Sequence, residues 1–102
     1  MLVVLTTVSS IEEGENLADK IVREKLAACV QIVPQMTSVY VWDGKVHKDN
    51  EHLLLIKTAA EKYDELEAFI LANHSYETPE IVAIDAERVS ATYAKWLADV
   101  LT

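Results

Sequence analysis

Two residues, Asp43-Gly44, sit between apolar runs in the stretch VYVWDGKVHKDNEHLLLIKT, Val39 to Thr58. They constrain the fold more than any other feature of the chain. Asp-Gly between β-forming segments is a strong hairpin signal, because both central residues of a type I′ turn need positive φ. Followed outward, strand-forming residues run back to Cys29 and forward to Thr58, roughly 14 residues per arm where a strand usually has about 5 or 6. A chain of 102 residues therefore carries a ribbon longer than its own core can cover.

That length makes residues 1–102 a single domain, able to bury roughly two-thirds of its unfolded surface. Seventeen acidic residues against nine basic ones, net −8, argue against a nucleic-acid partner, which would need clustered Lys and Arg. No apolar run approaches the ~18 residues of a membrane helix, so no membrane partner is expected. The N-terminal MLVVLTTV lacks the basic start and small-residue cleavage site of a signal peptide and reads as a first strand. One cysteine makes no internal disulfide, which suits a reducing cytoplasm.

Ser10-Ile11-Glu12-Glu13 then places a hydroxyl three residues before a carboxylate, the capping box that opens a helix. Leu17, Ala18, Ile21, Val22 and Leu26 follow at helical spacing, which predicts a helix ending near Leu26. After the hairpin, Thr58-Ala59-Ala60-Glu61 repeats the capping-box pattern, and Tyr63, Leu66 and Ile70 mark a second helix ending near Asn73. ETPEIVAIDA supplies a short strand after Pro79, and Ser90 is set to cap a third helix containing Tyr93, Trp96, Leu97, Val100 and Leu101. The order is β-α-β-β-α-β with one helix appended. This predicts an α+β, ferredoxin-like βαββαβ sandwich with an extra C-terminal helix and a long hairpin between its second and third strands.

Strands covered on one face alternate apolar and polar residues, yet LVVL, LLLI and IVAI are continuously apolar. Their second face must be buried as well. The expected cover is another copy of the chain, giving an oligomer; the alternative is that the C-terminal helix crosses to that face.

The metal ligands of soft or borderline character are Cys29, His47, His52 and His74. His47 and His52 are five apart on one strand, so without a bulge they point to opposite faces. Cys29, in LAACVQIV, reads as a buried small hydrophobe or as a thiolate for a soft ion such as Cu(I), completed by a ligand from another segment or subunit. No serine lies in a Gly-x-Ser-x-Gly turn and no histidine neighbours Cys29, so no catalytic constellation and no enzyme are expected. TTVSSIEEG is acidic and has its glycine inside the helix, the wrong charge and place for a phosphate cradle. In NHSYETPEI, His74, Tyr76 and Glu80 surround Pro79, which holds Thr78 extended; this is either a small-ligand or ion site or an ordinary helix-to-strand connection. Lys57, directly after LLLI, must snorkel to solvent or pair with a carboxylate. Tyr40 and Trp42 are two apart on one arm, so both rings face the same way.

Taken together, KLAACVQIV, SVYVWDGKV followed by EHLLLIKT, HSYETPEIVAI and the late YAKWL resemble the CutA family of divalent-cation tolerance proteins over essentially the whole chain. The resemblance implies a ferredoxin-like subunit in a compact trimer, with the hairpin reaching onto neighbouring subunits. It implies a link to tolerance of copper and other divalent metals, with a metal site around the family cysteine, here Cys29; among the chain's own imidazoles, His74 is the next candidate ligand. The family's recurring polar and aromatic positions fall on Tyr40, Trp42, Lys57, His74, Tyr76, Pro79 and Glu80; of these, Tyr40, Trp42, Lys57, Tyr76 and Glu80 are expected to line a cleft between subunits. One departure is Ser75, where the family usually has proline. The expectation is a cytoplasmic homotrimer that binds metal ions. The alternative is a trimeric small-molecule sensor with ligand sites in the inter-subunit clefts.

Overall fold

At the hairpin tip Asp43 and Gly44 take φ of +54° and +73°, the paired positive values of the expected turn. A computed structural model describes Met1–Thr102. Its elements are β1 (Leu2–Val8), α1 (Ile11–Arg23), β2 (Cys29–Trp42), β3 (Lys45–Thr58), a 3-10 turn at Ala60–Lys62, α2 (Tyr63–Asn73), β4 (Val82–Asp85) and α3 (Ala91–Leu101). The four strands form one sheet in the order β2-β3-β1-β4, antiparallel at every pairing. This is the ferredoxin-like arrangement, and the ribbon carries its longest dimension to 44 Å.

One face of the sheet packs on α1 and α2. Val4, Val8, Leu54 and Ile56 meet Leu17 and Ile21 of α1 and Leu66 and Ile70 of α2, all at most 3% exposed. The approach is close: a Cβ on Gly14 of α1 would stand 3.2 Å from Val8 Cγ2 and 3.5 Å from Leu54 Cδ1. Thr6 lies on this face too, fully buried, with no partner for its hydroxyl.

Helix ends depart from the sequence expectation in instructive ways. At the N-terminus of α1, Ser10 Oγ accepts from the Glu13 N–H at 3.1 Å, as the capping box requires, but the Glu13 carboxylate reaches Ser9 rather than Ser10. α1 stops at Arg23, not near Leu26. Lys25 turns to φ +56°, the Lys25 N–H donates to Val22 O and the Leu26 N–H to Ile21 O, both at 3.0 Å. This is a Schellman ending, in which an apolar residue just past the helix packs back on its last turn. Leu26 therefore kept the helical spacing while lying outside the helix. The second capping box does not form. Thr58 ends β3, fully buried, and its hydroxyl donates to Leu26 O at 2.7 Å, so the chain enters α2 through the uncapped 3-10 turn. Ser90 sits at the N-cap of α3 without a side-chain capping bond.

α3 packs at one end of the sheet, where Leu97 and Leu101 meet Ala28, Met1 and Ala59. It does not cross the sheet's second face. Val33 of β2 and Val82 and Ile84 of β4 remain 42%, 48% and 51% exposed there.

A one-residue bulge governs the ribbon. Val33 pairs with Leu53, but Met36 pairs with Glu51, so Pro34 and Gln35 face His52 alone. Beyond it Met36, Ser38, Tyr40 and Trp42 stand opposite Glu51, Asp49, His47 and Lys45. Residues of one strand separated by even numbers share a face, so these side chains continue the face of Leu53 and Leu55 that the helices leave open.

Candidate functional site

Where the ribbon leaves the sheet, the connection from α2 to β4 folds over the open face and encloses a cleft. His74 caps α2 and fixes this loop. Its Nε2 donates to Thr7 O at 2.7 Å and its Nδ1 accepts from the Tyr76 N–H at 3.0 Å. A carbonyl at one nitrogen and an N–H at the other require the neutral Nε2–H tautomer and leave neither nitrogen with a free lone pair. Glu13 holds the loop from the other side, accepting from the Ser75 N–H at 3.1 Å. Partial burial would raise the Glu13 carboxyl, but hydrogen bonds from Ser75 and Ser9 outweigh it and hold the group below its ordinary value. The Ser75 N–H that makes this bond is a donor that a proline would not supply.

Tyr76 donates its phenol to Glu51 Oε2 at 2.7 Å, and Glu51 is only 9% exposed. Burial first, then the bond to Glu51, pushes the Tyr76 phenol well above its ordinary range. Tyr40 makes the matching bond on the ribbon: its hydroxyl donates to Asp49, which raises that phenol too. The His47 ring stacks on Tyr40, centroids 5.6 Å apart and planes 18° apart.

Tyr40, Trp42 and Tyr76 wall an open cavity of about 250 Å³, its lining completed by Asp49, Glu77 and Thr78. A second cavity of about 390 Å³ adjoins it, sharing Tyr40, Trp42 and Tyr76 and adding Glu51, Glu80 and Thr7. Four of the five residues expected to share a cleft thus meet within one chain. Lys57 does not join them. It lies at the other end of β3 opposite Cys29, and its ammonium sits 5.8 Å from the Tyr93 ring centroid. Neither a solvated tip nor a carboxylate partner, the two outcomes anticipated for it, describes this cation–π contact.

Cys29 and His74 also stand apart. Cys29 shares a row of the sheet with Lys57 and Val3, whereas His74 holds Thr7, four residues along β1, roughly 13 Å at strand rise. Cys29 is half-buried. No group of three or more His, Cys, Asp or Glu side chains in the chain is placed to hold a metal ion. His52 Nδ1 accepts from the Gln35 N–H at the bulge, 3.1 Å away, on the opposite face from His47.

Sequence reasoning passed over Glu13, Asp49 and Glu51, the carboxylates that organise this cleft. Glu51 carried a signal, since it has the parity of Leu53 and Leu55 and so points with them to the open face. Glu13 carried none, because its cap reading was sufficient and its contact to Ser75 spans 62 positions.

Comparison with known proteins agrees over the full length. Residues 2–100 match the family described as CutA1 divalent ion tolerance protein. The chain is 48% identical over 96 residues to the chloroplastic protein CutA of Arabidopsis thaliana, covering 94% of this chain and 53% of that protein. To the divalent-cation tolerance protein CutA of Thermus thermophilus it is 44% identical over 97 residues, covering 95% and 94%. The chain spans about half the length of the plant relatives. Its fold superposes on the solved structure titled periplasmic divalent cation tolerance protein CutA from Archaeoglobus fulgidus with a TM-score of 0.96 at 35% identity, all of both chains covered. No helix is long and apolar enough to cross a membrane. With the family model matching residues 2–100 and a relative 44% identical over 97 residues, the chain belongs to the CutA family of divalent-cation tolerance proteins.

Proposed function

We propose that the chain, a single CutA-like domain over residues 1–102, assembles as a homotrimer and in that form binds copper or other divalent metal ions as part of the response to them. The observation that carries this reading is the open face of the sheet, where Val33, Val82 and Ile84 lie exposed beside the aromatic side of the ribbon. A contiguous apolar face of this kind marks an interaction surface. Self-association is the commonest way to cover it. Native mass spectrometry at micromolar concentration tests the assembly: a trimer is expected, and a monomer with a cooperative melt overturns it.

Cys29 is the proposed metal ligand, because a thiolate is the only strong soft donor in the chain. One chain does not gather a chelate around it, so the remaining donors come from neighbouring subunits. His74 enters the site only by giving up one of its two hydrogen bonds. Calorimetry with Cu(I) on Cys29→Ala is expected to lose any binding tighter than millimolar; unchanged affinity moves the site to the imidazoles. The reading includes no catalytic step, and the compartment is the cytoplasm, in keeping with a single free cysteine.

A second reading is favoured by one observation, the cavity walled by Tyr40, Trp42 and Tyr76. A concave, largely aromatic pocket with a few convergent polar groups is the usual form of a small-molecule site. On this reading the trimer is a sensor whose clefts, completed by neighbouring subunits, hold an effector.

A further inference from the structure

We propose that the cavity walled by Tyr40, Trp42 and Tyr76 binds a compact organic ammonium ion. The inference rests on the cleft reading for its location and is independent of metal binding at Cys29. Two of the four tyrosines and one of the two tryptophans of the chain converge here, brought from β2 and from the loop before β4. Aromatic faces attract a cation through the ring quadrupole, most strongly when it is partly desolvated. His47, which covers one face of the Tyr40 ring, does not line the cavity.

The charge around the cavity has one sign. Asp49 and Glu77 line it, Glu51 and Glu80 line its neighbour, and no lysine or arginine lines either. Such a lining repels phosphates and carboxylates. It suits a metal ion poorly as well, because Asp49 and Glu51 are each engaged by a phenol hydroxyl and no three donors converge. An alkylammonium needs no lone pair directed at it: ring faces and nearby carboxylates in a restricted space are sufficient. Both phenols are shifted away from ionisation, so the rings stay neutral hydrogen-bond donors that keep the carboxylates in place. The volume, about 250 Å³, lies just below the ~300–1,000 Å³ of pockets for drug-sized ligands, which suits a compact ligand.

The test is calorimetric titration of the assembled protein with choline, with its neutral isostere 3,3-dimethylbutan-1-ol, and with acetate. Choline is expected to bind at least tenfold more tightly than the isostere, with an affinity that falls as salt is added, and acetate is expected not to bind. Glu77→Gln, at an exposed position with no structural bond, is expected to weaken choline several-fold while leaving the assembly and its melting temperature unchanged. Trp42→Phe, which keeps an aromatic ring, is expected to weaken choline in protein confirmed to be assembled. Equal binding of choline and the isostere overturns the ammonium preference and leaves the cleft as a general small-molecule site. Binding of neither overturns both readings. Choline binding that neither variant alters puts the ligand elsewhere and overturns the assignment to this cavity.

Discussion

The two faces of the one sheet are finished differently. On the helix side, Val4, Val8, Leu54 and Ile56 are closed under α1 and α2 and almost wholly excluded from solvent. On the other side, Leu5, Leu53 and Leu55 are half-buried, Val33, Val82 and Ile84 are open, and the same face continues past Glu51, Ser38 and Asp49 to Tyr40 and Trp42 on the ribbon. The strands themselves do not differ between the faces, being apolar on both. What differs is the partner. The first face is satisfied within the chain, and the second is left open by it, which is the ground for the trimer proposed above. Stability of the subunit and stability of the assembly should therefore be separable by mutation.

The largest expected effect lies on the open face. Tyr40→Ala combined with Trp42→Ala should cost about 3 kcal/mol or more per ring if each is fully buried between subunits, and should dissociate the assembly while the subunit core stays folded. Sedimentation velocity reads this directly. A double mutant that stays trimeric at nanomolar concentration with an unchanged melt would mean that the ribbon serves something other than assembly. Next comes Leu54→Ala on the helix side, with an expected loss of about 2–5 kcal/mol for a fully enclosed leucine. Urea unfolding of the subunit should register it, and a loss below about 1 kcal/mol would mean that the core tolerates the cavity by collapse.

Buried threonines sharpen the comparison within the closed face. Thr58 donates to Leu26 O, so Thr58→Val strands a buried carbonyl and should cost about 1–3 kcal/mol. Thr6 has no partner, so Thr6→Val removes an unsatisfied hydroxyl at nearly constant shape and should be neutral or stabilising by up to about 1 kcal/mol. Equal losses in the two variants would show that Thr6 bonds a buried water. The smallest effect concerns Glu13. Its folded value is depressed below the ordinary 4.5, so its contribution is present above about pH 4.5 and is lost as pH falls through the lower folded value. The stability gap between the native chain and Glu13→Gln should be steady near neutrality and narrow in acid, as followed by urea unfolding at several pH values. A gap independent of pH would remove the carboxylate from the account of how the 74–76 loop is held.

The architecture was legible because it is written in periodicity. The Asp43-Gly44 turn, the alternation of strands and helices, and the extent of both ribbon arms all came from local chemistry. Misreadings arose where one residue type serves two structures. Leu26 fits a helical stripe and a Schellman contact equally well, and Thr58 is as good a hydrogen-bond donor to a distant carbonyl as it is a helix cap. The cleft was half legible. Tyr40, Trp42, Tyr76 and Glu80 are conspicuous residues, and they do meet. Glu13 and Glu51 are ordinary acidic residues on an acidic chain, and only the register and the path of the loop bring them to the site. Lys57 was grouped with them by kind, but strand geometry carries it to the far end of β3.

The bulge at Pro34-Gln35 gives the ribbon something like a reading frame. Before it, the odd-numbered residues Cys29, Gln31 and Val33 look out from the helices; after it, the even-numbered Ser38, Tyr40 and Trp42 do. A frame of two means that residues added or lost in pairs along an arm leave every side chain on its own side, whereas a single deletion between Val33 and Met36 is a frameshift in space. It would turn Tyr40 and Trp42 away from Tyr76 without altering a letter of the motif that contains them. The cleft therefore depends on a count as much as on a composition: three steps along β2 for two along β3.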